Sequence, residues 1–137
     1  MRILIVEDNQ ADQELLLELL QDQFLQEAKF RVATSLESAL SYLQRTLDEA
    51  PFFDVVILDL KLPDSTGKET FRAIHRVHPK MPIVVMSHNK DPELALDLIR
   101  EGAHDFILKD YTNPIAIFRR VLFAVERERM KGLEPSP

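Results

Sequence analysis

The chain has 137 residues, with 17 basic and 23 acidic side chains, a formal net charge of −6 and no cysteine. That length suits one domain with its own core, burying about 68–70% of the surface of the unfolded chain. The composition excludes disulfide frameworks, cysteine zinc sites, thiol catalysis and iron–sulfur clusters. The acidic balance argues against direct nucleic-acid binding, which wants a basic face. No apolar run reaches the ~20 residues that cross a membrane. The N-terminus carries no secretory pattern, so the cytoplasm is the expected compartment.

Ile3-Leu4-Ile5-Val6 is a short β-branched run closed by Glu7 and Asp8, and it reads as the first strand. A helical pattern follows over Gln10 to Glu27, with leucines at 15, 16, 19 and 20 assigned to the core. Phe30 to Ala33 is a weaker strand. Thr34 and Glu37 have the spacing of a capping box, and Leu36, Ala39, Leu40, Leu43 and Leu47 then recur at helical spacing. Val55-Val56-Ile57-Leu58 repeats the first strand and ends at Asp59. Phe71, Ile74 and Val77 mark a third helix that Pro79 stops. Ile83-Val84-Val85-Met86 is a strand ending at Ser87. Asp91-Pro92-Glu93 opens a fourth helix, which Gly102 closes. Phe106-Ile107-Leu108 is the last strand and ends at Lys109. Asn113-Pro114 opens the last helix, and its charged end, Glu126 to Arg129, reads as solvated surface.

Strand and helix alternate five times. Strands that are apolar without alternation are buried on both faces, which is the mark of a parallel sheet between helical layers. The expected fold is α/β: a doubly wound five-stranded parallel (βα)5 sheet of flavodoxin-like order 2-1-3-4-5. Residues 1–130 form the domain, and 131–137 read as a flexible tail or linker.

Ligands of such sheets bind beyond the carboxyl ends of the strands. The residues there are Glu7, Asp8, Asp59, Ser87 and Lys109. Three crowded carboxylates repel one another, and a hard divalent cation, Mg2+ or Mn2+, relieves this with oxygen ligands. A lysine and a hydroxyl suit phosphoryl oxygens, and a carboxylate can itself be the nucleophile. His75, His78 and His104 show no metal-ligand spacing, and His88 reads as a loop histidine.

At four places in order, the sequence resembles the receiver domains of two-component response regulators. These are residues 3–9 (ILIVEDN), 56–67 (VILDLKLPDSTG), 82–87 (PIVVMS) and 102–109 (GAHDFILK), within a resemblance covering roughly 1–128. The resemblance implies a phosphoacceptor, not a turnover enzyme; at most it self-phosphorylates from small donors and dephosphorylates slowly. Asp59 would accept the phosphoryl group from a phosphohistidine on a histidine kinase or phosphotransfer protein. Asp8 would bind Mg2+ directly and Glu7 mostly through water, with Asp59 and the backbone carbonyl of Lys61 completing the protein ligands. Ser87 and Lys109 would meet the phosphoryl group, and Phe106 would turn inward as Ser87 shifts. A downstream protein target would read the face made by the fourth helix, fifth strand and fifth helix, and a homodimer through the C-terminal helix is a further expectation.

Three positions depart from the usual receiver pattern: Asp110 replaces the common proline after the lysine, His88 replaces a small residue, and Phe106 lacks the hydroxyl of the common tyrosine. Lys61 and Asn89 lie where family members tune dephosphorylation. Three alternatives stand beside this reading. The chain could be a receiver module cut from a hybrid kinase or multidomain regulator. It could be a constitutive, nonphosphorylated module, although such modules have usually lost an acid or the lysine, and all are kept here. An aspartate-nucleophile phosphatase of the haloacid dehalogenase type needs a second acid two residues after the nucleophile, where this chain has Lys61.

Overall fold

Strands with apolar residues on both faces bury them only between two helical layers. The structure, a computed structural model, describes residues 1–25, 27–45 and 53–132. In chain order the elements are β1 (Arg2–Val6), α1 (Gln10–Gln23), β2 (Lys29–Ala33), α2 (Leu36–Gln44), β3 (Val55–Asp59), β4 (Lys61–Leu62), β5 (Ser65–Thr66), α3 (Lys68–Val77), β6 (Ile83–Ser87), α4 (Pro92–Arg100), β7 (Asp105–Leu108) and α5 (Pro114–Lys131). The five long strands are all parallel, in the order β2-β1-β3-β6-β7. Setting aside the two-residue hairpin β4–β5, this is the expected order 2-1-3-4-5. Among the described residues, no helix is long and apolar enough to cross a membrane.

The alternation of strand side chains divides the core in two. Leu4, Val6, Val56, Leu58, Ile83 and Val85 face α2, α3 and α4, which contribute Ala39, Leu43, Phe71, Ile74 and Leu98. Ile3, Ile5, Val55, Ile57, Val84 and Met86 face α1 and α5, which contribute Leu16, Leu20, Ile117 and Val121. Leu15 does not join them: it is 48% exposed, because it falls one residue off the stripe of Leu16, Leu19 and Leu20. Leu47 lies outside the described residues, as do 133–137 of the expected tail. Helix α5 runs to Lys131 and ends at Gly132.

The helix ends explain the loop geometry near the carboxyl edge. Asn9 caps α1 by accepting from the Asp12 N–H. The capping box of α2 forms between Ser35 and Ser38, one residue on from the expected Thr34–Glu37 pair. A third group joins it: the Asp64 carboxylate, from the loop after β4, accepts from the N–H groups of Leu36 (2.9 Å) and Glu37 (3.0 Å). Gly67 begins α3 at φ +71°, which favours glycine, and its N–H donates to Leu60 O at 2.9 Å. Gly102 (φ +117°) closes α4 in a Schellman motif, with Ala103 N–H on Leu98 O and Gly102 N–H on Ile99 O.

Candidate functional site

Because every long strand runs the same way, the residues that follow β1, β3, β6 and β7 meet at one edge. Lys109 follows β7, and its N–H donates to Ser87 O at 2.9 Å. Its side chain is only 5% exposed and folds back across the strand ends. The ammonium has three donors and three carboxylates within reach: Glu7 Oε1 at 2.7 Å, Asp59 Oδ2 at 3.0 Å and Asp12 Oδ2 at 3.2 Å. Burial disfavours the lysine charge, but Glu7 and Asp59 outweigh it and hold its pKa above the ordinary value.

Asp59 is buried at the end of β3. Its Oδ1 accepts from the Lys61 N–H at 3.1 Å while Oδ2 faces Lys109. Oxygens of Glu7, Asp8 and Asp59 lie within 4.8 Å of one another, with Asp8 exposed beside the two buried acids. Burial pushes the Glu7 carboxyl up to about 9, with Asp59 and Asp12 adding to the rise and Lys109 opposing it. Its Oε2 is buried without a hydrogen-bond partner. An orphaned oxygen beside two more carboxylates fits a hard divalent cation. Ser87 Oγ accepts from the Asn89 N–H at 3.0 Å. Asp59, Lys61, Gly67, Ser87, His88 and Asn89 line an open cleft of about 310 Å³. Its floor is steadied by Thr70, fully buried, whose hydroxyl meets Leu60 O (3.3 Å) and Ser65 Oγ (2.7 Å).

Glu7, Asp8, Asp59, Lys61, Ser87 and Lys109 therefore converge, as the strand order requires. Phe106 lies apart, half-buried against the α2–α3–α4 cluster and paired in register with Val85. Asp12 is the residue that sequence reading passes over. An acid in the first turn of a helix looks like a partner for the helix dipole, and only the folded geometry brings it to Lys109. Burial opposes the Asp12 charge, yet the neighbouring Glu7 and Lys109 keep its pKa below the ordinary value. Tyr111 is the second such residue: burial pushes its phenol up to about 12 beside Asp12 and Lys109.

The charged end of α5 is more structural than its pattern suggests. Arg120 grips Asp105 through two bonds of 3.0 Å, and Arg127 donates to His104 O at 2.8 Å. His104 Nδ1 accepts from the Ile83 N–H (3.2 Å), so Nε2 carries the proton and donates to Glu128 Oε2 (3.0 Å). Burial lowers the His104 pKa, Glu128 opposes this, and Lys131 and Arg127 add to it. A folded pKa below the ordinary 6.5 means that the unfolded chain takes up the proton first. This contribution to stability is constant above that value and falls as pH drops through it. Glu7, raised in the fold, slopes the other way between its ordinary 4.5 and about 9. The expected result is that the stability advantage of wild type over His104→Gln, measured by urea titration, shrinks from pH 7.5 to pH 5.5. An advantage that grows on acidification would contradict it.

A parallel sheet of this order, with clustered acids, a hydroxyl and a lysine at its switch edge, defines a flavodoxin-like α/β domain of receiver type. The response regulator receiver domain family matches residues 3–121, and the chain belongs to that family. The luminescence regulatory protein LuxO of Vibrio campbellii is 38% identical over 56 residues, which are 41% of this chain and 12% of that protein. The C4-dicarboxylate transport transcriptional regulatory protein DctD of Rhizobium meliloti is 33% identical over 84 residues, 61% of this chain and 17% of DctD. The chain thus spans under a fifth of these curated relatives. Among solved structures, the receiver domain of a LuxO repressor protein from Vibrio parahaemolyticus superposes with a TM-score of 0.80 at 24% identity, covering 99% of this chain and 98% of that one. A CheY-like receiver from Methanospirillum hungatei gives 0.78 at 22% identity, covering 95% and 97%.

Proposed function

We propose that this receiver domain is a phosphorylation switch in a histidine–aspartate relay. Asp59 accepts a phosphoryl group from a phosphohistidine on a histidine kinase or histidine phosphotransfer protein. The observation that carries this is the Lys109 ammonium 3.0 Å from Oδ2 of Asp59, whose side chain lines a cleft open to a donor. In the transfer, an Asp59 oxygen bonds to phosphorus as the P–N bond breaks; the imidazole, already protonated on its other ring nitrogen, keeps the bonding pair and leaves neutral. Lys109 turns an N–H from Asp59 to a phosphoryl oxygen, and Ser87 donates its hydroxyl proton to another.

Glu7, Asp8 and Asp59, with the Lys61 carbonyl, are the residues that would hold Mg2+ (or Mn2+). Bound there, the ion neutralises charge on the phosphoryl oxygens. The orphaned Glu7 Oε2 supports this ligand set. As Ser87 moves toward the phosphoryl group, Phe106 on the adjacent strand turns inward. The face of α4, β7 and α5 changes with it, and it already exposes Leu96, Ile99, Leu108, Ile115 and Phe123 to a downstream protein or a second copy.

The test is intact mass after incubation with Mg2+ and phosphoramidate. One phosphoryl adduct is expected, absent from Asp59→Ala and absent in EDTA. An adduct that persists in Asp59→Ala would remove Asp59 from the acceptor role.

A further inference from the structure

Lys109 is held by one acid more than the acceptor and its ligand set require. Asp12 reaches it from α1, with Oδ2 3.2 Å from the ammonium, and the same oxygen lies 3.8 Å from Nε2 of His88. His88 is 71% exposed and lines the cleft with Ser87 and Asn89. Asp12 therefore spans from the buried lysine to the mouth of the site, on the side where α1 begins. Between Arg2 and Lys29 the chain has no basic residue, so α1 supplies no cation to offset it.

We propose that Asp12 is a donor-selecting residue: its carboxylate disfavours acyl-phosphate donors and favours donors whose phosphoryl group is carried on nitrogen. This rests on the acceptor reading of Asp59. The chemistry of the two donor classes differs in charge. An acyl phosphate brings a dianionic phosphoryl group, and its P–O bond breaks to release a carboxylate, so negative charge grows at the mouth beside Asp12. A phosphoramidate or phosphoimidazole donor carries its proton on nitrogen. Its P–N bond breaks with the pair going to that nitrogen, and it leaves as neutral ammonia or imidazole. In both cases the new bond joins an Asp59 oxygen to phosphorus. A fixed carboxylate at the mouth repels the first reaction more than the second, and the low dielectric around a 5%-exposed lysine leaves that field poorly screened.

The experiment measures initial rates of adduct formation with Mg2+ for acetyl phosphate and for phosphoramidate, in wild type, Asp12→Asn and Asp12→Glu. The readout is the ratio of the two rates. A change common to both donors reports the hold of Asp12 on Lys109, whereas the ratio reports its charge toward the donor. Asp12→Asn is expected to shift the ratio about tenfold toward acetyl phosphate, and Asp12→Glu to return it toward wild type. Adducts whose donor ratio is the same in wild type and Asp12→Asn overturn this proposal alone. The absence of any Asp59-dependent adduct from either donor in wild type overturns it together with the acceptor reading.

Discussion

Replacing Lys109 with methionine is expected to slow phosphorylation of Asp59 by about 10²–10³-fold, the usual cost of losing one preorganised donor at a developing charge. The same substitution is expected to tighten Mg2+ binding. The two effects oppose each other because a dication bound as proposed would compete with the lysine for the same carboxylates: Glu7 and Asp59 lie 2.7 and 3.0 Å from the ammonium. Methionine fills much of the stem's volume without the charge. Removing one member of a buried ion pair costs about 3–5 kcal/mol where the remaining charge has no relief. A cation held by the proposed ligand set would supply that relief, so the variant's stability should climb with Mg2+ more steeply than that of wild type. Adduct rates, calorimetric Mg2+ titration and urea midpoints with and without Mg2+ measure the three effects. Unchanged rates, or weaker Mg2+ binding, would show that Lys109 does not share carboxylates with the cation.

Phe71→Ala is expected to be the costliest single truncation in the core, at about 3–5 kcal/mol. Phe71 is fully buried on α3 among residues of the β-sheet, α2 and α4, and its ring stacks on His75 with centroids 5.2 Å apart. The cavity cannot close easily. On one side stands the sheet, and on the other the His75 ring is pinned near Gly102, where even an added Cβ would come within 3.0 Å of it. Against a total stability of about 5–15 kcal/mol, the variant should be near its limit at 37 °C. Phe123→Ala is the control: that ring is 58% exposed on α5, and its loss should move stability by no more than about 0.5 kcal/mol. Urea titration of both variants checks the contrast. A Phe71→Ala midpoint close to wild type would mean that α3 settles into the gap.

The strand runs of the sequence carry most of this architecture. Ile3-Leu4-Ile5-Val6 and its three counterparts are apolar on both faces, and that pattern admits few arrangements other than a covered parallel sheet. Once the strand order is set, the convergence of these residues follows from Glu7, Asp59, Ser87 and Lys109 each being the first polar residue after its run, with Asp8 next to Glu7. What escaped was whatever depends on side chains reaching between elements. Asp12 approaches Lys109 across 97 positions of sequence, and the Ser35–Ser38 box has no glutamate to announce it. Leu15 carries the same letter as its buried neighbours, and a rotation of one residue on a helix decides its exposure. Arg120, Arg127 and Glu128 look like solvent-facing charge until β7 and His104, just before it, are placed beneath them.

Asp64 bears on the order in which the chain folds. Helix α2 has nine residues, fewer than the roughly 12–15 a helix needs to persist alone in water. Two of its first N–H groups find their acceptor only in Asp64, 27 and 28 positions further along. Until β3 has joined β1 and carried that loop into place, those groups must rest on water. Helix α2 is thus a late arrival, consolidated by the strand that follows it. Pulsed hydrogen exchange during refolding should find the amides of Leu36 and Glu37 protected no earlier than those of Val56 and Leu58.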